Sequence, residues 1–276
     1  MHFALATSDL GTLALGLAIA GVFGGLIAGT LGVDIGIVIV PVLYHVLALV
    51  GVDETLRMHV AIGTSFAAIV PVSLASLLWL RKDSAVDRDL LRRWAMPMLV
   101  GALAGCALVS VSSGRELVLI FAGVALVIAL YFVFGGEKYR IANLLPSGAV
   151  GIPMPALIGA ISATTGLGGG TLGVPTLTLF GVAAPRAIAT ASAFGAIIAV
   201  PGTIAAIFFG WHASGLPPYS LGYVNLVGVV LIAPVAFAMT LAGAALSRLA
   251  DTSRLRIGFA LFIVLMTGRM LYDAIS

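Results

Sequence analysis

The sequence predicts an all-α polytopic membrane protein with ten membrane segments, built as two inverted five-segment repeats. Three observations predict it. The 276 residues are 61% hydrophobic and 9% charged, with a mean hydropathy of +1.18, whereas a soluble chain carries about a quarter of its residues charged. Apolar runs close to the length that crosses a bilayer, about 20 residues, recur from end to end. A glycine-containing stretch closed by Val-Pro occurs twice, at matched places in two halves of the chain. The net charge of +3 is too small to point to nucleic acid, and in membrane proteins basic residues mark orientation.

Taken in order, Met1–Asp9 has no Lys or Arg. It lacks the basic region of a signal peptide, so Leu10–Thr30 is read as the first retained span. Val33–Val50 follows, with Asp34, Gly36 and Pro41 near its start. Met58–Leu80 carries Thr64 and Ser65, then Val70-Pro71. Trp94–Val111 and Leu117–Phe134 close the first half. The polar joint Gly135–Arg140 leads to Gly148–Thr165, then to Leu167–Val182 with Gly168, Gly169, Gly170 and Pro175. Ala187–Gly210 carries Thr190 and Ser192, then Val200-Pro201. Leu221–Leu249 and Leu255–Ala274 complete the series. The expected organisation is a first membrane repeat over 1–134, a cytoplasmic linker over 135–147 and a second repeat over 148–276. Trp79, Trp94 and Trp211 fall at expected span ends, where indole rings anchor at the interface.

Val40-Pro41 matches Val174-Pro175, which places Gly36 on Gly170 and Gly32 on Gly166. Thr64-Ser65-Phe66 resembles the run Thr190 to Phe194, and each is followed by Val-Pro. Lys and Arg set the orientation. Arg81, Lys82, Arg88, Arg92 and Arg93 crowd the loop after the third span, which is therefore placed in the cytoplasm. The matching loop of the second half, Trp211–Ser220, has no Lys or Arg. Five spans per half put equivalent loops on opposite sides, so the repeat is expected to be inverted. Both termini are then expected in the periplasm of an inner-membrane protein.

The two Val-Pro segments carry the candidate site. As straight helices they reach about 27 Å and 24 Å, short of a hydrocarbon core of roughly 30 Å. Each is expected to be interrupted by its glycines. An interrupted helix survives in a membrane only where protein, water or ligand satisfies its backbone. The N–H groups of Gly168, Gly169 and Gly170, at a helix start, suit a small anion. Thr64, Ser65, Thr190 and Ser192 offer hydroxyls beside them, although such hydroxyls often bond the preceding turn. Gly36, Pro41 and Pro175 complete the expected substrate contacts. A carboxylate at Asp34 is costly in a membrane unless protonated, paired or on a pathway. It is read either as a cap for the half-helix starting near Ile35 or as a coupling group. His45 and His59 are possible partners for it. Arg57 and Arg186 stand at matched positions before the third spans of the two halves. The lone Cys106 allows no internal disulfide, and no metal-ligand spacing occurs.

The paired glycine-plus-Val-Pro segments, each followed by a Thr/Ser-bearing helix, resemble the TauE/SafE sulfite-exporter-type permeases from about Gly25 to Met270. Gly166-Leu167-Gly168-Gly169-Gly170 through Val174-Pro175 is the closer of the two matches. In the first, Asp34 and Ile35 stand where the family carries small residues. The resemblance implies secondary transport of sulfite, thiosulfate or an organosulfonate by alternating access, driven by a proton or sodium gradient. A passive anion channel, or a permease for another small organic anion, is the alternative. No nucleotide-binding loop, Gly-x-Ser-x-Gly or His-Glu-x-x-His occurs, so no enzymatic activity and no cofactor are expected. The expected partners are the small anion, the lipid bilayer and the coupling proton or sodium. The oligomeric state is left open.

Overall fold

A computed structural model describes residues 7–80, 86–134, 142, 145, 151–246 and 252–275. Its elements are helices α1 (Thr7–Leu31), α2 (Gly36–Leu49), α3 (Glu54–Leu80), α4 (Arg88–Val111), α5 (Gly114–Phe134), α6 (Pro153–Thr165), α7 (Gly169–Leu179) and α8 (Ala184–Gly210). A two-residue hairpin, β1 (Ser220–Leu221) and β2 (Val224–Asn225), precedes α9 (Leu226–Leu246) and α10 (Thr252–Ile275). Among the described residues, six helices are long and apolar enough to cross a membrane: those in α3, α4, α5, α8, α9 and α10.

The breaks fall at a different place from the one the sequence predicts. Neither Val-Pro segment is split internally. Each is one short helix, of 14 residues in α2 and 11 in α7, and the break precedes it. Gly32 and Gly166 take left-handed backbone, at φ +72° and +71°, and end α1 and α6. Glycine adopts that conformation without the Cβ penalty. Pro41 and Pro175 lie inside the helices that follow. Two helix ends and two helix starts are thereby held inside the protein.

Small residues set the packing and fix the chain directions. A Cβ on Gly21, Gly25 or Gly29 of α1 would meet Ile232, Ala236 or Thr240 of α9 in turn. Both series advance by one turn together, so α1 and α9 run parallel in close contact, as glycine permits. Gly101 and Gly105 of α4 face Ala156 and Ala160 of α6 in the same parallel sense. Along α3 and α8 the order reverses: Gly63 faces Ala206, Phe66 faces Gly202 and Ser73 faces Gly195. α5 and α10 are antiparallel as well, with Phe132 and Phe259 at 5.4 Å between ring centroids and Leu119 sharing a groove with Leu271.

The core gathers around α2 and α3, where Tyr44, Phe66, Ile37 and Ile69 are fully buried together with Phe194 of α8. Leu108, Val127, Phe208, Val230 and Leu265 leave apolar side chains outward on α4, α5, α8, α9 and α10, as lipid-facing helices do. Trp94 departs from the expected interfacial position. It is 4% exposed and stacks on Phe194 at 5.6 Å, because α4 begins against α8. Trp211 is exposed at the end of α8, and the Trp79 side chain lies outside the described residues. The short hairpin, which the sequence reading places partly in the ninth span, folds back so that the Tyr223 N–H donates to the Ala206 carbonyl at 3.1 Å.

Candidate functional site

The site forms where the break before α2 meets the start of α7. Gly168 is extended and starts α7, which leaves the first-turn N–H groups without partners inside the helix. The Asp34 carboxylate fills that place. Thr171 N–H donates to Asp34 Oδ2 at 2.8 Å, and the Thr171 hydroxyl lies 3.3 Å from the same oxygen. In return, the Asp34 N–H donates to Thr171 Oγ1 at 3.0 Å. This is a capping box made between two distant segments: Asp34 caps α7, not the α2 helix expected from sequence. The α2 cap, Ile35, has no side-chain bond. The carboxylate is 9% exposed, and among the described residues no Lys, Arg or His pairs with it. What offsets its charge is the positive end of the helix.

Two glycines make the approach possible. A Cβ on Gly168 would collide with the Asp34 carboxylate, and one on Gly170 would lie 3.0 Å from Oδ2. Beside the carboxylate is a cavity of about 30 Å³. Ser73, Ser192, Thr240 and Gly170 line it with Asp34. A second, largely apolar cavity of about 20 Å³ lies farther along α3 and is lined by His59, Phe66, Cys106, Ser110 and Tyr223. One helical turn of α3, between Phe66 and Ile69, separates the two.

The remaining residues singled out by sequence divide by position. Gly36 is the first residue of α2, and a Cβ there would press on the Gly166 carbonyl and on Ser65 Oγ. Ser65 donates to that same carbonyl at 2.8 Å, tying α3 to the break before α7. Ser192 lines the cavity while donating to Ile188 O at 2.9 Å. Thr64 and Thr190 are fully buried and accept backbone N–H groups from the opposite half: Asn225 at 2.9 Å and Asp87 at 3.0 Å. Those two partners are themselves helix caps. Asp87 accepts from Leu90 N–H at 3.0 Å and from Arg186 at 2.9 Å. Asn225 accepts from Gly228 N–H at 2.9 Å. Pro41 and Pro175 lie within their helices, away from the cavity lining.

His45 contacts Pro41 O and Asp273, and His59 bridges Thr55 O and Val109 O, so neither turns to Asp34. Arg57 donates to Val52 O at 2.7 Å. Sequence reasoning missed Thr171, Ser73 and Thr240. Thr171 was within reach, because it directly follows the glycine cluster at the third position of the helix, where caps bind.

A membrane-spanning helical bundle, with broken helices meeting at a buried polar cavity, defines a polytopic membrane transporter. The chain belongs to the TauE/SafE family: the profile described as Sulfite exporter TauE/SafE matches residues 17–270. It is similar to a "Probable membrane transporter protein" of Haemophilus influenzae, 33% identical over 257 residues, covering 91% of this chain and 96% of that one. It is also similar to "Probable membrane transporter protein YunE" of Bacillus subtilis, 23% identical over 278 residues, covering 94% and 97%. No solved structure matches it.

Proposed function

We propose that this protein is a secondary transporter. It moves a small sulfur-containing anion, of the sulfite, thiosulfate or organosulfonate type, across the bacterial inner membrane by alternating access. The observation that carries the reading is the start of α7, a helix terminus aimed at an anionic group beside a polar cavity, with a second cavity beyond one turn of α3. Helix starts favour anions through their free N–H groups and dipole. The family supports the substrate class.

The same reading takes 1–134 and 148–276 as inverted repeats joined by a linker over 135–147. Pairwise packing supports this. Advancing every helix by five places turns the parallel α1–α9 pair into the parallel α6–α4 pair, and leaves α3–α8 and α5–α10 paired and antiparallel. Equivalent helices that run in opposite directions are the mark of inversion. The two threonine clips obey the same exchange, since Thr64 with Asn225 becomes Thr190 with Asp87. Substrate contacts are assigned to Gly168, Gly169, Gly170 and Ser192, with Gly36, Pro41, Thr64, Ser65, Pro175 and Thr190 shaping the crossing around them. Asp34 is the coupling group. Both termini face the periplasm.

Cys106 supplies the test. It is the chain's only cysteine and lines the second cavity. In proteoliposomes, sulfite or a sulfonate should move in a saturable, gradient-dependent way, and substrate should change the rate at which a membrane-impermeant thiol reagent reaches Cys106. Unitary conductance steps in a planar bilayer, with labelling indifferent to substrate, would replace the carrier with a channel.

A further inference from the structure

The Asp34 carboxylate occupies the place that an oxyanion would take. It is a monoanion, it accepts the Thr171 N–H and hydroxyl, and its bonds are those a bound sulfonate or sulfite oxygen would make. The cavity beside it, at about 30 Å³, has room for about two waters. A sulfur oxyanion cannot reach the same donors while the carboxylate holds them. A second observation points to a ligand. Ser73 is 5% exposed, lines this cavity and makes no hydrogen bond to any described residue. A Cβ on Gly195 would lie against both Ser73 Oγ and Asp34 Oδ1, so hydroxyl and carboxylate face one point.

We propose that Asp34 is a tethered stand-in for the substrate anion: it fills the α7 cradle when the carrier is empty, and a monoanionic oxyanion displaces it only as Asp34 takes up one proton. This rests on the reading of the chain as an anion carrier and gives that carrier its coupling ion and stoichiometry. The balance is one for one. The arriving anion brings one negative charge, the proton converts the carboxylate to a neutral carboxyl, and the net charge of the cradle is unchanged. A neutral carboxyl no longer competes for the helix terminus, and Ser73 is placed to donate to the incoming anion.

No other group confuses the assignment. Among the described residues, Asp34 is the one titratable side chain lining the cavity. Those facing it are Ala28 of α1, Ile69 and Ser73 of α3, Gly170 of α7, Ser192 of α8 and Thr240 of α9. The Asp87–Arg186 ion pair lies at the same end of α8 but outside the lining.

Methanesulfonate is the suitable probe, since it stays a monoanion across the working pH range. Its binding to the purified full chain is followed by calorimetry from pH 5 to 8. For the wild type, affinity should fall by up to about tenfold per pH unit as pH rises, the slope of one proton taken up per anion bound. For Asp34→Asn, affinity should be independent of pH and close to the wild-type value at low pH. Wild-type binding without a pH slope, or an unchanged slope in Asp34→Asn, overturns the proposal while leaving an anion carrier in place. If methanesulfonate, sulfite and thiosulfate all fail to bind either protein at any pH, the anion-carrier reading itself falls. Should Asp34→Asn not yield folded protein, the wild-type slope decides alone.

Discussion

Asp34 and Thr171 are 137 positions apart in the chain, yet each satisfies the other's backbone N–H. Both are buried. Thr171→Val keeps the shape and removes the hydroxyl, which strands the Asp34 N–H and takes away one donor to its carboxylate. A cost of about 1–3 kcal/mol is expected for groups left unpaired in this way. It should appear as a lower Tm of the purified protein, with Thr171→Ser close to wild type. A Thr171→Val protein as stable as wild type would remove this pair from the fold's supports. The sequence made Asp34 conspicuous as an acid in an apolar run, and it made Gly168–Gly170 conspicuous as a cradle. It could not join them, because periodicity and spacing report on neighbours along one helix. The partner of a buried acid is set by tertiary packing.

Helices α1 and α9 meet along a row of glycines with almost no side chain between them. At Gly29 a Cβ would fall on the Thr240 carbonyl, whereas at Gly16 it would meet nothing within 4 Å. Gly29→Val should therefore abolish the close contact and yield little monodisperse protein on size exclusion. Gly16→Ala should be tolerated and gain up to about 1 kcal/mol of helix propensity. The fourth helices of the two halves offer a finer comparison. Asp87 caps α4 and Asn225 caps α9 with the same acceptor geometry. Asp87→Asn should thus keep the cap and cost well under 1 kcal/mol, since the Arg186 pair it loses is exposed. Asp87→Ala should cost about 1–2 kcal/mol through the lost cap. Thermal melts of the two variants separate the contributions. Helix existence was legible throughout, because long apolar runs leave little choice. The breaks fall at the near end of the glycine stretches rather than within them. Pro41 and Pro175 are accommodated within their helices, and the left-handed Gly32 and Gly166 end the helix before each.

For the whole molecule, inversion is the claim with the widest reach, and it rests on matched segments, five spans per half and the bias of Lys and Arg. With Cys106 replaced by Ala, single cysteines at Arg88 and Ser214 place one reporter on each of two equivalent loops. Both positions are exposed. An impermeant thiol reagent added to sealed right-side-out vesicles should label Ser214→Cys, and Arg88→Cys should react only after permeabilisation. Labelling of both from the same side would end the inverted arrangement. The order of the helices was legible from the apolar runs, because each run of that length makes one helix. The pairing of α1 with α9 and of α4 with α6 was not, since small residues recur in every span and do not name their partners.

The two threonine clips also differ in a way that concerns solution conditions. On one side Thr190 holds Asp87, which is in turn held by a solvent-accessible guanidinium. On the other side Thr64 holds Asn225, whose further partners are the neutral Pro218 carbonyl and Ser220 hydroxyl. Dissolved salt screens the first and leaves the second untouched. Added salt therefore weakens the Asp87–Arg186 contact that backs the first clip, while the second clip has no ion pair to lose.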